Sequence, residues 1–171
     1  MLATILITAA TIILIVFAFV LMSTHYHLLM RTRRANLSRA MQWLGVTYTR
    51  RFNDRHARSG HLFQGRFGCV AMDEAHLLAA FRYVALNPVK ARLVASPADW
   101  PWSSARAHLR GQDDGLVKVQ PLLQRVDQVA EFFDDAPDPQ LVAALTRGQS
   151  VGRPLMGDHE LGALEKRVGR T

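Results

Sequence analysis

The stretch Ser23-Thr24-His25-Tyr26-His27-Leu28-Leu29 closes a long apolar run with two histidines that are two residues apart. The run is rich in β-branched residues, so we predict one strand from Phe17 to Met30. Side chains at i and i+2 of a strand share a face, so His25 and His27 are expected to project together. Two neutral imidazoles held close can form part of a divalent-metal site. The other interpretation is a pair of half-exposed histidines at a strand end.

Positive charge is concentrated in one window of the 171-residue chain. The chain carries a net charge of +7, and nine arginines but only one acid, Asp54, lie between Arg31 and Arg66. A solvated face usually mixes both signs, so this window favours a polyanionic partner, either nucleic acid or an anionic membrane surface. The single cysteine, Cys69, excludes an intramolecular disulfide and a cysteine zinc cluster, and it fits a reducing compartment.

The first 22 residues contain no charged side chain. The segment from Leu2 to Met22 is long enough to span a hydrocarbon core of ~30 Å. The arginines that follow would keep the C-terminal side of such a span in the cytoplasm. Residues 1–16 therefore have two interpretations, a membrane segment or an aberrant start.

A helix and a glycine-punctuated loop follow. Asn36 is expected to cap a helix that begins at Leu37. In the loop from Arg58 to Phe67, the backbone amides that glycine exposes can approach phosphates. Phe63 and Phe67 fit two alternatives, stacking on unpaired bases or burial in an ordinary turn. We predict a strand over 68–72.

The next helix is expected to start at Asp73-Glu74, and Pro88 is expected to kink it. Tyr83 and Asn87 lie four residues apart on this helix, so they share a face. A metal-assisted tyrosine could attack a phosphodiester, and the Asn87 carbonyl oxygen could complete the metal shell. Alone, such a pair is more typical of a structural contact.

Composition changes after the segment Trp100-Pro101-Trp102-Ser103-Ser104, which is expected to start a short helix. From residue 111 acids outnumber bases, and we interpret this part as a helical appendage. The predicted division is 1–16 for the apolar segment, 17–110 for a catalytic domain and 111–171 for a helical extension.

Four motifs occur in one order: His25-Tyr26-His27, the Gly60 to Phe67 loop, Tyr83-Val84-Ala85-Leu86-Asn87-Pro88 and the Trp100 to Ser104 segment. This set resembles the REP-associated tyrosine transposases of the HUH single-tyrosine group, over about Phe17 to Leu109. The resemblance implies an α+β fold, with a ferredoxin-like antiparallel sheet and helices on one face. It also implies single-stranded DNA beside a hairpin repeat as substrate, cut and rejoined through a 5′-phosphotyrosine.

By this resemblance His25, His27 and Asn87 would bind Mg²⁺ or Mn²⁺, and Tyr83 would be the nucleophile. The arginine-rich window and its loop would meet DNA, in the cytoplasm at the nucleoid. The candidate DNA contacts are Arg50, Arg51, Arg55, Arg58, His61, Gln64 and Arg66. Whether the protein is a monomer or a dimer stays open.

The chain departs from the family pattern in two places. Ser23-Thr24 stands where the family usually has Pro-Asn. The strand–helix unit that usually precedes the histidine strand is replaced by the apolar run, so we expect an N-terminally truncated domain. The alternative to an active strand transferase is a truncated relative that binds DNA with weak or no catalysis, including a membrane-associated form.

Overall fold

A computed structural model describes residues 14–136, 138–152 and 154–168. The chain divides into two compact units. We call the described part of the first, residues 14 and 32–68, the arginine-rich unit. The second, the sheet unit, comprises the described residues of 15–31 and 69–171.

The described residues form two strands, seven α-helices and one short 3₁₀ helix. In chain order they are β1 (Leu14–Leu21), β2 (Tyr26–Thr32), α1 (Leu37–His56), α2 (Glu74–Lys90), the 3₁₀ helix (Pro97–Asp99), α3 (Ala105–Arg110), α4 (Gln120–Leu123), α5 (Val129–Asp134), α6 (Pro139–Val151) and α7 (Asp158–Val168). The predicted α+β class is confirmed, with β1 and β2 paired in an antiparallel sheet.

The predicted single strand from Phe17 to Met30 is wrong, because the chain turns back within it. β1 ends at Leu21, and the Met22 N–H donates to the His25 carbonyl at 2.8 Å to close a turn. Ser23 and Thr24 occupy this turn, where hydroxyl side chains are favoured over strand interiors. The result is a hairpin that places the histidines at the start of its second strand.

The other edge of β1 is paired with the segment that precedes α3. The Leu21 N–H donates to the Trp102 carbonyl at 2.8 Å, and the Trp100 indole N–H donates to the Leu21 carbonyl at 2.9 Å. Ser104 bonds Phe19 three times. Its backbone N–H donates to the Phe19 carbonyl at 3.0 Å, and its Oγ accepts from the Phe19 N–H at 2.9 Å and donates to the Phe19 carbonyl at 3.3 Å. The Trp100 to Ser104 segment therefore substitutes for a third strand.

The pairing continues toward the start of β1. The His108 Nε2–H of α3 donates to the Phe17 carbonyl at 2.9 Å, and the Lys118 N–H donates to the Val16 carbonyl at 2.9 Å. Buried backbone groups need such partners, and here they come from both side chains and backbone. β1 is thus the central element of the sheet unit.

The core of this unit lies between β1 and α2. Val20, Phe81 and Leu122 are almost completely buried, and the Phe17 and Phe81 rings stack with centroids 6.2 Å apart. α2 begins after Asp73, whose carboxylate accepts from the His76 N–H at 3.1 Å, so the predicted helix start is confirmed.

The predicted kink at Pro88 does not end α2, because helical structure continues through Pro88 to Lys90. The Ala91 N–H then donates to the Asn87 carbonyl at 3.0 Å. Tyr83 and Asn87 consequently lie on one unbroken helix.

The predicted strand over 68–72 is wrong. In the described part of the chain, only Met72 of this segment pairs, through one bridge to Leu155. The Leu155 N–H donates to the Ala71 carbonyl at 2.8 Å, and the chain then enters α7. A strand needs a partner along its length, and here the partner meets only the end of the segment, at Ala71 and Met72.

The arginine-rich unit consists of α1 and the loop that follows it. The predicted helix is confirmed, but Asn36, which precedes it, makes no side-chain capping bond. The helix ends where Ala57 adopts a left-handed conformation and the Arg58 N–H donates to the Asn53 carbonyl at 2.9 Å. The Asn53 side-chain amide donates to the Gly60 carbonyl at 2.9 Å and holds the loop against the helix end.

No helix within the described ranges is long and apolar enough to cross a membrane. Most of the predicted apolar segment, residues 1–13, lies outside the described residues, and 14–16 begin β1. The predicted boundaries at 17, 110 and 111 stay predictions.

Candidate active site

The hairpin brings the two histidines together, although only His27 lies in a strand. His25 is the last residue of the turn, and His27 is the second residue of β2. Their ring centroids are 4.9 Å apart with the ring planes nearly perpendicular. The two imidazoles are therefore close enough to act on one ligand.

The two rings differ in environment. His25 is exposed, and its Nδ1 lies 3.0 Å from the Thr24 hydroxyl. Burial of His27, reinforced by the nearby His25, lowers the pKa of His27 to about 4, so this imidazole is neutral at pH 7. Its Nε2 is buried and has no hydrogen-bond partner among the described residues.

Tyr83 of α2 lies directly beside His27. Their ring centroids are 5.3 Å apart in an edge-to-face arrangement. On the same helix, the Lys90 ammonium lies 5.2 Å from the centroid of the Tyr83 ring. Partial burial lowers the pKa of Lys90. The tyrosine is thus flanked by a neutral imidazole and a cation.

Asn87 lies one turn beyond Tyr83, as its spacing predicted. Its side-chain amide donates to the Tyr83 carbonyl at 3.2 Å. Within the described ranges, no three His, Cys, Asp or Glu side chains are grouped to hold a metal ion. The Asn87 amide oxygen as third ligand stays a prediction, whereas the buried Nε2 of His27, unpartnered among the described residues, fits a metal ligand.

Residues 4–87 match the family described as IS200-like transposases.

This match spans His25, His27, Tyr83 and Asn87, and it supports the transposase family. It also supports a DNA-processing enzyme in general and DNA as partner. No curated protein and no solved structure matches the chain. The matched residues thus include the part of the sequence that contains the candidate site.

The predicted DNA contacts lie in the arginine-rich unit. All of them are exposed, three on α1 and four on the loop after it. On α1 they are Arg50, Arg51 and Arg55, and on the loop they are Arg58, His61, Gln64 and Arg66. The structure thus groups the histidines with Tyr83 and Asn87 in one unit, and the predicted DNA contacts in the other.

One residue of the site was missed by reasoning from the sequence. Lys90 lies two helical turns beyond Tyr83, on the same face of α2. The spacing of seven residues between them was the available signal. The spacing predicts a shared face only if the helix continues through Pro88, as it does in the structure.

Proposed function

We propose that the chain is a REP-associated tyrosine transposase, a metal-dependent DNA strand transferase that acts on single-stranded DNA beside hairpin repeats. The observation that supports this most is the contact between His27 and Tyr83, with ring centroids 5.3 Å apart. It puts a hydroxyl-bearing side chain next to a neutral imidazole whose Nε2 is unpartnered among the described residues.

In the proposed reaction, the Tyr83 oxygen attacks a backbone phosphorus and forms a new O–P bond. The phenol proton leaves, the bond from phosphorus to the 3′ oxygen breaks, and that oxygen takes up a proton as a free 3′-hydroxyl. The DNA is left as a 5′-phosphotyrosine, which conserves the bond energy, so a second 3′-hydroxyl can reverse the step without ATP.

His25, His27 and Asn87 would hold the divalent ion. The bound ion would neutralise charge on the phosphate as the transition state forms. Imidazole nitrogens suit Mn²⁺ better than Mg²⁺, which prefers an all-oxygen shell. The neutral state of His27 keeps its lone pair free for this role at pH 7.

Lys90 would also contribute at Tyr83. Its ammonium lies 5.2 Å from the ring centroid and can attract the phosphate toward the tyrosine. The proposed location of the protein is the cytoplasm, at the nucleoid, where its DNA substrate lies.

The test is formation of a covalent adduct. The full chain is incubated with Mn²⁺ and a hairpin oligonucleotide with single-stranded flanks, labelled on the 3′ side, and the products are run on a denaturing gel. Tyr83→Phe should abolish the adduct while leaving DNA binding intact. Tyr26→Phe, which removes the hydroxyl between the histidines and keeps the ring, is the matched control and should retain it. An adduct formed by Tyr83→Phe would contradict the proposed nucleophile.

The second candidate is a relative that binds hairpin DNA without cutting it. The observation that favours it is that the exposed arginines belong to one compact unit and the histidine site to the other. Tight, strongly salt-dependent binding by the unmodified chain, with no adduct in Mn²⁺, would select this candidate.

A further inference from the structure

The turn that ends α2 contains an arginine in a left-handed backbone conformation. Arg92 has a φ of 57°, which side chains of L-residues rarely adopt because the Cβ atom comes close to the following carbonyl oxygen. α3 also ends in this conformation, but there the residue is a glycine, Gly111, with a φ of 64°. A glycine would therefore be less strained at position 92, and the arginine is accepted at some loss of stability.

The Arg92 guanidinium is not needed to complete the end of α2. Three carbonyls of the last turn already accept backbone N–H groups: Asn87 from Ala91 at 3.0 Å, Val89 from Arg92 at 2.9 Å and Pro88 from Leu93 at 2.9 Å. A cation near the C-terminus also interacts favourably with the helix dipole, but Lys90 in the last turn already supplies one. The Arg92 side chain is exposed, and within the described ranges it makes no ion pair and no hydrogen bond.

Arg92 follows the candidate active site on the same stretch of chain. Tyr83 and Lys90 lie seven residues apart, about 10 Å along the helix axis at a rise of 1.5 Å per residue. Helical side chains lean toward the N-terminus, and the Lys90 ammonium accordingly lies 5.2 Å from the centroid of the Tyr83 ring. The backbone of Arg92 comes two residues later, just beyond the helix. This position suits a phosphate next to the one that is attacked.

The charge of this stretch favours an anionic ligand. Residues 83–98 contain two cations, Lys90 and Arg92, and no acid. The predicted DNA contacts all belong to the arginine-rich unit, whereas Tyr83 and Arg92 belong to the sheet unit. A nucleophile on the sheet unit benefits from a phosphate contact on that same unit, because the strand must be held within bonding distance of its oxygen.

We propose that Arg92 binds a backbone phosphate of the single-stranded DNA that Tyr83 cuts, next to the phosphate that is attacked. The identity of the polyanion rests on the proposed function. A guanidinium can donate two parallel hydrogen bonds to one phosphate, so it fixes the position of the strand as well as attracting it. The left-handed backbone then serves to present this group directly after the helix that carries the nucleophile.

Equilibrium binding of a single-stranded oligonucleotide, measured at several salt concentrations, tests the contact. The full chain is used in the Tyr83→Phe background, which prevents a covalent adduct. Arg92→Gln should weaken binding about tenfold and reduce the salt slope by about 0.7, as expected for one lost phosphate contact. Arg92→Lys should keep the slope, since it retains the charge. Arg110→Gln removes an exposed arginine at the end of α3 and, as the charge-matched control, should change neither quantity.

Oligonucleotides that each carry one uncharged methylphosphonate linkage locate the phosphate. At one position beside the cleaved phosphate, the neutral linkage should weaken binding by the parent about as much as Arg92→Gln does. The same linkage should cause no further loss in Arg92→Gln, because the contact is already absent.

Arg92→Gly separates binding from stability. It should weaken binding as much as Arg92→Gln, yet raise the melting temperature by about 2 °C, because glycine adopts the left-handed conformation without strain. Ala57→Gly relieves the same conformation at a φ of 50° without removing a charge. It should raise the melting temperature and leave the salt slope unchanged.

An unchanged salt slope in Arg92→Gln and Arg92→Gly, or an equal loss in Arg110→Gln, would overturn the phosphate contact. So would a melting temperature of Arg92→Gly below that of the parent, because the arginine would then serve the helix end. A chain that forms no adduct but shows the expected losses of binding retains the contact and loses the strand-transfer proposal. Parental binding and adduct formation by Arg92→Gln would have the opposite meaning.

Discussion

Ser104→Ala is expected to destabilise the sheet unit, because the Ser104 hydroxyl completes the pairing of β1. Its Oγ accepts from the Phe19 N–H at 2.9 Å, and Ser104 is only 2 % exposed. The alanine variant also loses the 3.3 Å bond from the hydroxyl to the Phe19 carbonyl, but that carbonyl keeps the backbone bond from residue 104, so only the Phe19 N–H is left without a partner. The substitution therefore leaves one partly buried backbone donor, the Phe19 N–H, without its partner.

The loss of stability in Ser104→Ala is set mainly by the unpartnered Phe19 N–H. Leaving one buried backbone donor without a partner costs about 2 kcal/mol in free energy of unfolding. Little is added by lost helix capping, because Ser104 precedes α3 without a side-chain capping bond. The removed hydroxyl is small, so the packing term is minor beside the lost hydrogen bond.

Urea denaturation followed by circular dichroism measures this change. The midpoint should fall while the denaturant slope stays constant. Ser59→Ala, at an exposed loop position, is the control and should stay within about 0.5 kcal/mol of the parent. Hydrogen exchange should show faster exchange of the Phe19 amide in Ser104→Ala alone. Parental stability with an unchanged Phe19 exchange rate would refute the assigned role of the hydroxyl.

Two more predictions concern His108 and Lys90. Burial lowers the pKa of His108 below its unfolded value, so the stability it contributes is complete above about pH 6.5 and falls as the pH drops. His108→Gln should flatten that acid limb in denaturation curves between pH 7 and pH 4, and an unchanged limb would contradict it. Lys90→Gln should lower the single-turnover rate of adduct formation about tenfold with unchanged thermal stability, whereas Lys90→Arg should recover part of the rate. Equal rates for the glutamine variant and the parent would remove Lys90 from the mechanism.

The parts of the site that sequence could predict are those fixed by local spacing. Tyr83 and Asn87 share a face because any helix puts residues four apart on one side. The start of α2 after Asp73 was equally local, since an acidic residue before an apolar periodic run is a helix signal. The proximity of His25 and His27 also followed from their spacing, although the assumed single strand was wrong.

The features that could not be predicted from the sequence depend on contacts between residues far apart along the chain. The turn at Ser23 and Thr24 interrupts an apolar run with no glycine or proline to mark it, so the run was interpreted as one strand. The segment over 68–72 has strand-like composition but meets Leu155 only at its end. The contact between His27 and Tyr83 joins two elements whose packing no spacing rule specifies.

The closed edge of β1 has a consequence for assembly. Its backbone groups are already bonded to Trp100, Trp102, Ser104, His108 and Lys118. Among the described residues, the edge left for a strand donated by another molecule is therefore that of β2, the strand that carries His27. A strand added along β2 would therefore be expected to change the activity of the histidine site.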